Sequence, residues 1–86
     1  MLKIGILVSG GGTNFQAIID AIEMGNLVDT EIVTLVSSNP NAYALERAKK
    51  HNINAICISK KDYETDVLYQ QALIDHMKSK NVELIV

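Results

Sequence analysis

The residues best suited to chemistry stand together in Ser9-Gly10-Gly11-Gly12-Thr13-Asn14. Glycines let a backbone turn at positive φ and let a ligand approach without meeting a Cβ. Where such a loop opens a helix, the N–H groups of the first turn lack partners, and the helix dipole adds partial positive charge. A phosphate placed there would meet amides from Gly11 to Asn14, the Thr13 hydroxyl and the Asn14 carboxamide. The alternative is a tight strand-to-helix turn in which glycine serves geometry and Thr13 merely caps. Three consecutive glycines followed by Thr-Asn favour the anion site.

What the loop lacks narrows the ligand. A dinucleotide fingerprint, G-x-G-x-x-G, needs glycine where Phe15 stands. It also needs an acidic residue near the end of the second strand, where this chain has Ser37, Ser38 and Asn39. A P-loop needs a lysine beside its last glycine, and none lies between Lys3 and Lys49. A monophosphate bound without a metal fits better.

The remaining candidates have plainer uses. His51 follows Lys49 and Lys50 in a helix's last turn, where cations favour the dipole. His76 has no second ligand at i+4 for a metal. Cys57, in an apolar run, is expected to be a buried, inert thiol. Lys60-Lys61 reads as a solvated loop, with electrostatic help to an anionic substrate as the alternative. Asp62, Glu64 and Asp66 are expected to cap and charge the start of a helix. Ser37-Ser38-Asn39 either lines the ligand site or serves, through Asn39, as a helix cap.

Alternating strands and helices position these groups. Leu2–Val8 is nearly continuous in apolar residues, as a strand covered on both faces should be. Phe15, Ile18, Ile19 and Ile22 then recur at helical spacing, with Thr13 and Gln16 at capping-box separation and Gly25-Asn26 as a stop. Thr30–Ser37 is the second strand. A helix from Asn39-Pro40 to His51 turns Ala44, Leu45 and Ala48 inward, and Glu46, Arg47, Lys49 and Lys50 outward. Ile53–Ile58 is the third strand, and a third helix opens at Asp62 or Thr65. Val82–Val86 is the fourth strand. The β-α-β-α-β-α-β pattern predicts an α/β, Rossmann-like, doubly wound parallel sheet of order 3-2-1-4, with the glycine loop at its switch point.

Composition agrees with one soluble domain over residues 1–86. The chain is 48% hydrophobic and 21% charged, too apolar for disorder, and its net charge of −2 gives no basic footprint for nucleic acid or an anionic membrane. No apolar run approaches the roughly 20 residues of a membrane span. The single Cys57 and a start without an export leader point to the cytoplasm. Ending on Val82-Glu83-Leu84-Ile85-Val86, the chain reads as cut after its fourth strand, with an exposed sheet edge open to homo-oligomer formation.

The run Ile6-Leu7-Val8-Ser9-Gly10-Gly11-Gly12-Thr13-Asn14-Phe15-Gln16-Ala17-Ile18 closely resembles the opening of the phosphoribosylglycinamide formyltransferase family of purine biosynthesis. Val36-Ser37-Ser38-Asn39, Ala44-Leu45-Glu46-Arg47-Ala48 and Asn81–Val86 continue the likeness. The resemblance implies formyl transfer from 10-formyltetrahydrofolate to the amine of glycinamide ribonucleotide, with Gly11, Gly12, Thr13 and Asn14 holding the ribonucleotide phosphate. It places the catalytic asparagine, histidine and aspartate beyond Val86, so no residue here inherits a catalytic role and no metal is implied. Family members often carry an arginine near the start of the third helix. Tyr63-Glu64-Thr65-Asp66 stands there instead, leaving the folate contacts unassigned. The rival readings are a stand-alone phosphate-binding module without catalysis and another formyl-transferring or deformylating relative.

Overall fold

The apolar runs assemble into a parallel sheet in the computed structural model, which describes Met1–Val86. The order along the chain is β1 (Leu2–Val8), α1 (Thr13–Glu23), β2 (Thr30–Ser37), α2 (Tyr43–Lys50), β3 (Ala55–Cys57), a 3-10 turn (Lys60–Asp62), α3 (Asp66–Ser79) and β4 (Leu84–Ile85). The strands lie β3-β2-β1-β4, all parallel. The expected architecture and order are therefore found.

The two faces of the sheet bury different helices. Ile4, Ile6 and Leu35 pack against Phe15 and Ile19 of α1 and Ala44 and Ala48 of α2. On the other face Val36 and Ile58 meet Met77 of α3, flanked by Tyr69, Leu73 and Val82. Leu35 and Val36 face opposite ways because side chains alternate along a strand. Gly5 lets α3 sit close: a Cβ there would lie 2.5 Å from Met77 Sδ.

All three helices stop in the same way. A residue in the left-handed conformation follows each C-cap: Gly25 (φ 81), Asn52 (φ 57) and Asn81 (φ 59). After α1, the Gly25 N–H donates to Ile22 O and the Asn26 N–H to Ala21 O. The same pair of bonds closes α2, from Asn52 to Lys49 O and from Ile53 to Ala48 O. It closes α3 as well, from Asn81 to Lys78 O and from Val82 to Met77 O. These are Schellman motifs, with glycine or asparagine at the position that tolerates positive φ.

Several boundaries differ from the sequence reading. β3 is shorter than Ile53–Ile58, because the Ile53 N–H is spent on closing α2. Val82 is likewise drawn into the α3 stop, and β4 is the short strand Leu84–Ile85, with Glu83 and Val86 on either side also bonded to β1 backbone. Helix α2 begins at Tyr43 rather than at Pro40. Asn39 does not cap it: its Oδ1 accepts the Asn41 N–H at 3.0 Å, a side-chain turn that delays the helix. Thr65 does cap α3, its Oγ1 accepting the Leu68 N–H at 3.2 Å, while Asp62 belongs to the preceding 3-10 turn. No helix is long and apolar enough to cross a membrane.

Candidate functional site

A cavity of about 250 Å³ opens at the carboxyl ends of β1 and β4, lined in part by Ser9, Gly10, Gly12, Thr13, Asn14 and Val86. Three of the four expected site residues, Gly12, Thr13 and Asn14, thus share one recess. Gly11 is exposed on the loop beside it. Val86 is tied there by its carbonyl, which accepts the Leu7 N–H at 3.0 Å.

The loop leaves its donors free. The N–H groups of Gly10, Gly11, Gly12, Thr13, Asn14 and Phe15 find no backbone acceptor, and the first amide of the helix to do so is Gln16, bonded to Gly12 O at 2.8 Å. Its carbonyls, by contrast, are taken by α2: Gly10 O accepts the Ala44 N–H at 3.4 Å, and Gly11 O accepts Arg47 Nε at 2.7 Å. Free amides at a helix start, without a competing carbonyl, suit an anion.

The glycines have unequal duties. Gly12 lies in the left-handed region (φ 75, ψ 39) at the N-cap of α1. A Cβ on it would sit 2.7 Å from Ala44 Cβ, so this position is glycine because α2 packs against it. A Cβ on Gly10 or Gly11 would meet nothing within 4 Å. Those two face open space.

Three expectations about this region need correction. Thr13 does not cap α1. It is the first helical residue, and the helix begins without a side-chain cap bond, because Gly12 occupies the cap position. Gln16 does not complete a capping box either; its Nε2 donates to Asp20 Oδ1 at 2.9 Å and its Oε1 accepts Arg47 Nη1 at 3.2 Å. Arg47, expected to point outward, instead lies half-buried across the loop with its guanidinium 4.9 Å from the centre of the Tyr43 ring. The sequence reading missed it as a site residue. Its signal was there, in the Ala44–Ala48 segment already matched to the family.

Beside Arg47, Lys50 Nζ donates to the Tyr43 hydroxyl at 3.0 Å. That bond and the ammonium charge lower the pKa of the exposed Tyr43 phenol.

The rest of the carboxyl rim is polar but less organised. Ser37 is buried and its Oγ donates to Asn39 O at 2.7 Å, so it shapes the turn. Ser38, Asn39, Cys57, Ser59 and Lys61 border a wide recess of about 610 Å³. Cys57 is exposed rather than buried, since it ends the outer strand β3. Lys60 pairs with Asp66 at 2.9 Å across two solvated side chains, a contact worth about 0–1 kcal/mol.

The histidines lie away from the loop. His51 ends α2, as expected, and its Nδ1 sits 2.7 Å from Glu23 Oε1. His76 Nε2 is 2.8 Å from the hydroxyl of buried Thr34, and burial first, then the Lys80 charge, lower its pKa.

Comparison with known proteins gives the same picture. The chain is 42% identical over 84 residues to the trifunctional purine biosynthetic protein adenosine-3 of Chironomus tentans, covering 96% of this chain and 6% of that protein. It is 37% identical over 86 residues to the phosphoribosylglycinamide formyltransferase of Haemophilus influenzae, covering all of this chain and 40% of the relative. The crystal structure of glycinamide ribonucleotide transformylase 1 from Geobacillus kaustophilus superposes with a TM-score of 0.93 at 34% identity, over 99% of this chain and 45% of that one. The chain thus spans less than half the length of each of these proteins. Residues 2–86 match the formyl transferase family model. With the parallel order, the glycine loop at the switch point and a match along almost its whole length, the chain belongs to the formyl transferase family.

Proposed function

We propose that this chain supplies the substrate-phosphate loop for transfer of a formyl group from 10-formyltetrahydrofolate to the amine of glycinamide ribonucleotide in purine biosynthesis. Gly11, Gly12, Thr13 and Asn14 hold the phosphate, in a domain that spans residues 1–86 as the nucleotide-binding half of the reaction centre. One observation carries this reading: six consecutive amides, Gly10 to Phe15, have no backbone acceptor at the start of α1. A phosphate dianion gains from the N–H groups of Gly11 to Asn14 and from the helix dipole. The relatives named for the glycinamide ribonucleotide reaction support the choice of ligand.

Binding, not chemistry, is the role of these residues. The polar side chains at the loop, Ser9, Thr13 and Asn14, include no base to take a proton from an attacking amine. The folate is a co-substrate with no contact assigned in this chain, and no metal is required. The setting is cytoplasmic, in keeping with the single unpaired Cys57. The outer edge of β4 offers a route to self-association.

Calorimetric titration of the chain with glycinamide ribonucleotide, and with its dephosphorylated riboside, tests the reading. The phosphorylated ligand binds and the riboside does not. Asn14→Ala removes a donor to a charged acceptor, costing about 1.5–3 kcal/mol, roughly 10- to 150-fold in affinity. Equal binding of both ligands would refute the phosphate site, and turnover by the purified chain would refute the division of labour.

A further inference from the structure

We infer that Arg47 is a positioning residue that sets the orientation of the glycine loop's peptide planes, so that consecutive N–H groups face the phosphate. The inference rests on the reading of that loop as a phosphate site.

In a trans peptide the C=O of one residue and the N–H of the next point in opposite directions, and no peptide here is cis. Ala44 and Arg47, both on α2, take the carbonyls of Gly10 and Gly11. The N–H groups of Gly11 and Gly12 therefore point away from α2. With Gly12 in the left-handed conformation, adjacent N–H groups can turn toward one point, an arrangement that binds anions.

The two anchors are unequal. The Ala44 bond, at 3.4 Å, lies beyond the usual N–H···O range, whereas the Arg47 bond, at 2.7 Å, is short and charge-assisted. The guanidinium is itself held from two other sides, by Gln16 Oε1 and the Tyr43 ring. Arg47 thereby ties the loop, the first turn of α1 and the first turn of α2 together. Without it, glycines with no neighbour near their Cβ positions have little to stop a peptide flip that would turn a carbonyl on the phosphate. Lysine keeps the charge but lacks the planar fork that serves Gly11 O and Gln16 Oε1 together.

The test compares the full chain with Arg47→Gln and Arg47→Lys by two measurements. The first is affinity for glycinamide ribonucleotide. Arg47→Gln weakens it about 10- to 100-fold, and Arg47→Lys remains at least about 5-fold weaker than the wild type, because charge alone does not fix a peptide plane. The second is 15N relaxation of the ligand-free protein. In Arg47→Gln the order parameters of Gly11 and Gly12 fall from about 0.85 toward 0.6, while those of β1 and β2 do not change. Wild-type affinity in Arg47→Lys, or unchanged Gly11 and Gly12 order in Arg47→Gln, overturns the inference. The phosphate reading fails separately: if Gly11→Ala and Asn14→Ala both bind like the wild type, the loop is not the site. The relaxation data still decide whether Arg47 holds the loop.

Discussion

Gly12→Ala should be a folding lesion before it is a binding lesion, and its size follows from two features of the loop. Holding a non-glycine residue in the left-handed region costs about 1–2 kcal/mol. The new Cβ would also lie 2.7 Å from Ala44 Cβ, which cannot swing aside because it is fixed to the α2 backbone. Overpacking of that kind costs about 1–3 kcal/mol. The sum is roughly 2–5 kcal/mol, against a total stability of about 4–13 kcal/mol for a domain of this length. At about 4–8 °C per kcal/mol, the midpoint should fall by roughly 10–40 °C. Ala44→Gly removes the atom in the way at a cost of about 1 kcal/mol in helix propensity and about 0.8 kcal/mol for its buried methyl. The double variant should therefore be more stable than the sum of the singles, by about 1–3 kcal/mol. Urea unfolding followed by circular dichroism measures all four corners of the cycle. Gly11→Ala, whose Cβ meets nothing, should leave stability within about 0.5 kcal/mol of the wild type. Additive single effects, or a Gly12→Ala cost below about 1 kcal/mol, would refute the account of why glycine stands there.

Two further outcomes can be checked on the same protein. Since the folded state lowers the pKa of His76, its contribution to stability is full above the ordinary histidine value of about 6.5, declines as pH falls through it, and levels off below the folded pKa. Unfolding free energies of the wild type and His76→Gln across that range should diverge above it and converge below, and parallel curves would contradict the assignment. At the other edge, β4 pairs only with β1, and Leu84, Ile85 and Val86 are about half exposed. Sedimentation should show self-association at micromolar concentration that a Leu84→Lys, Val86→Lys double variant abolishes, whereas a monomeric wild type would exclude the edge as a contact.

The sheet was legible in the sequence because its signals are local and repeated. Each strand is a short β-branched run, and Phe15, Ile18, Ile19 and Ile22 fall on one helical stripe. The place of the loop was legible because three glycines in a row separate an apolar strand from a helical stripe. The errors arose where a distant residue outcompeted a near one. Thr13 and Gln16 have capping-box spacing, but α2 packs on Gly12 and Arg47 takes the Gln16 carboxamide. Arg47 reaches Gly11 across 36 positions, and no helical periodicity reports such a bond. Cys57 looked buried by composition, yet an outer strand has no neighbour on one side.

The three identical helix stops divide the molecule into rims with separate obligations. Gly25, Asn52 and Asn81 lie where the chain turns back toward the amino ends of the strands, opposite the glycine loop. Each stop is closed by bonds spanning no more than five residues, so its geometry is written within its own stretch of chain. Replacing Asn52 or Asn81 by glycine would retune a joint without touching the amides of the glycine loop. The amino rim is thus the place where sequence can drift, loops can lengthen and a fused partner can be attached. On the phosphate reading the opposite rim, where the amides from Gly10 to Phe15 are unspent, has no such latitude.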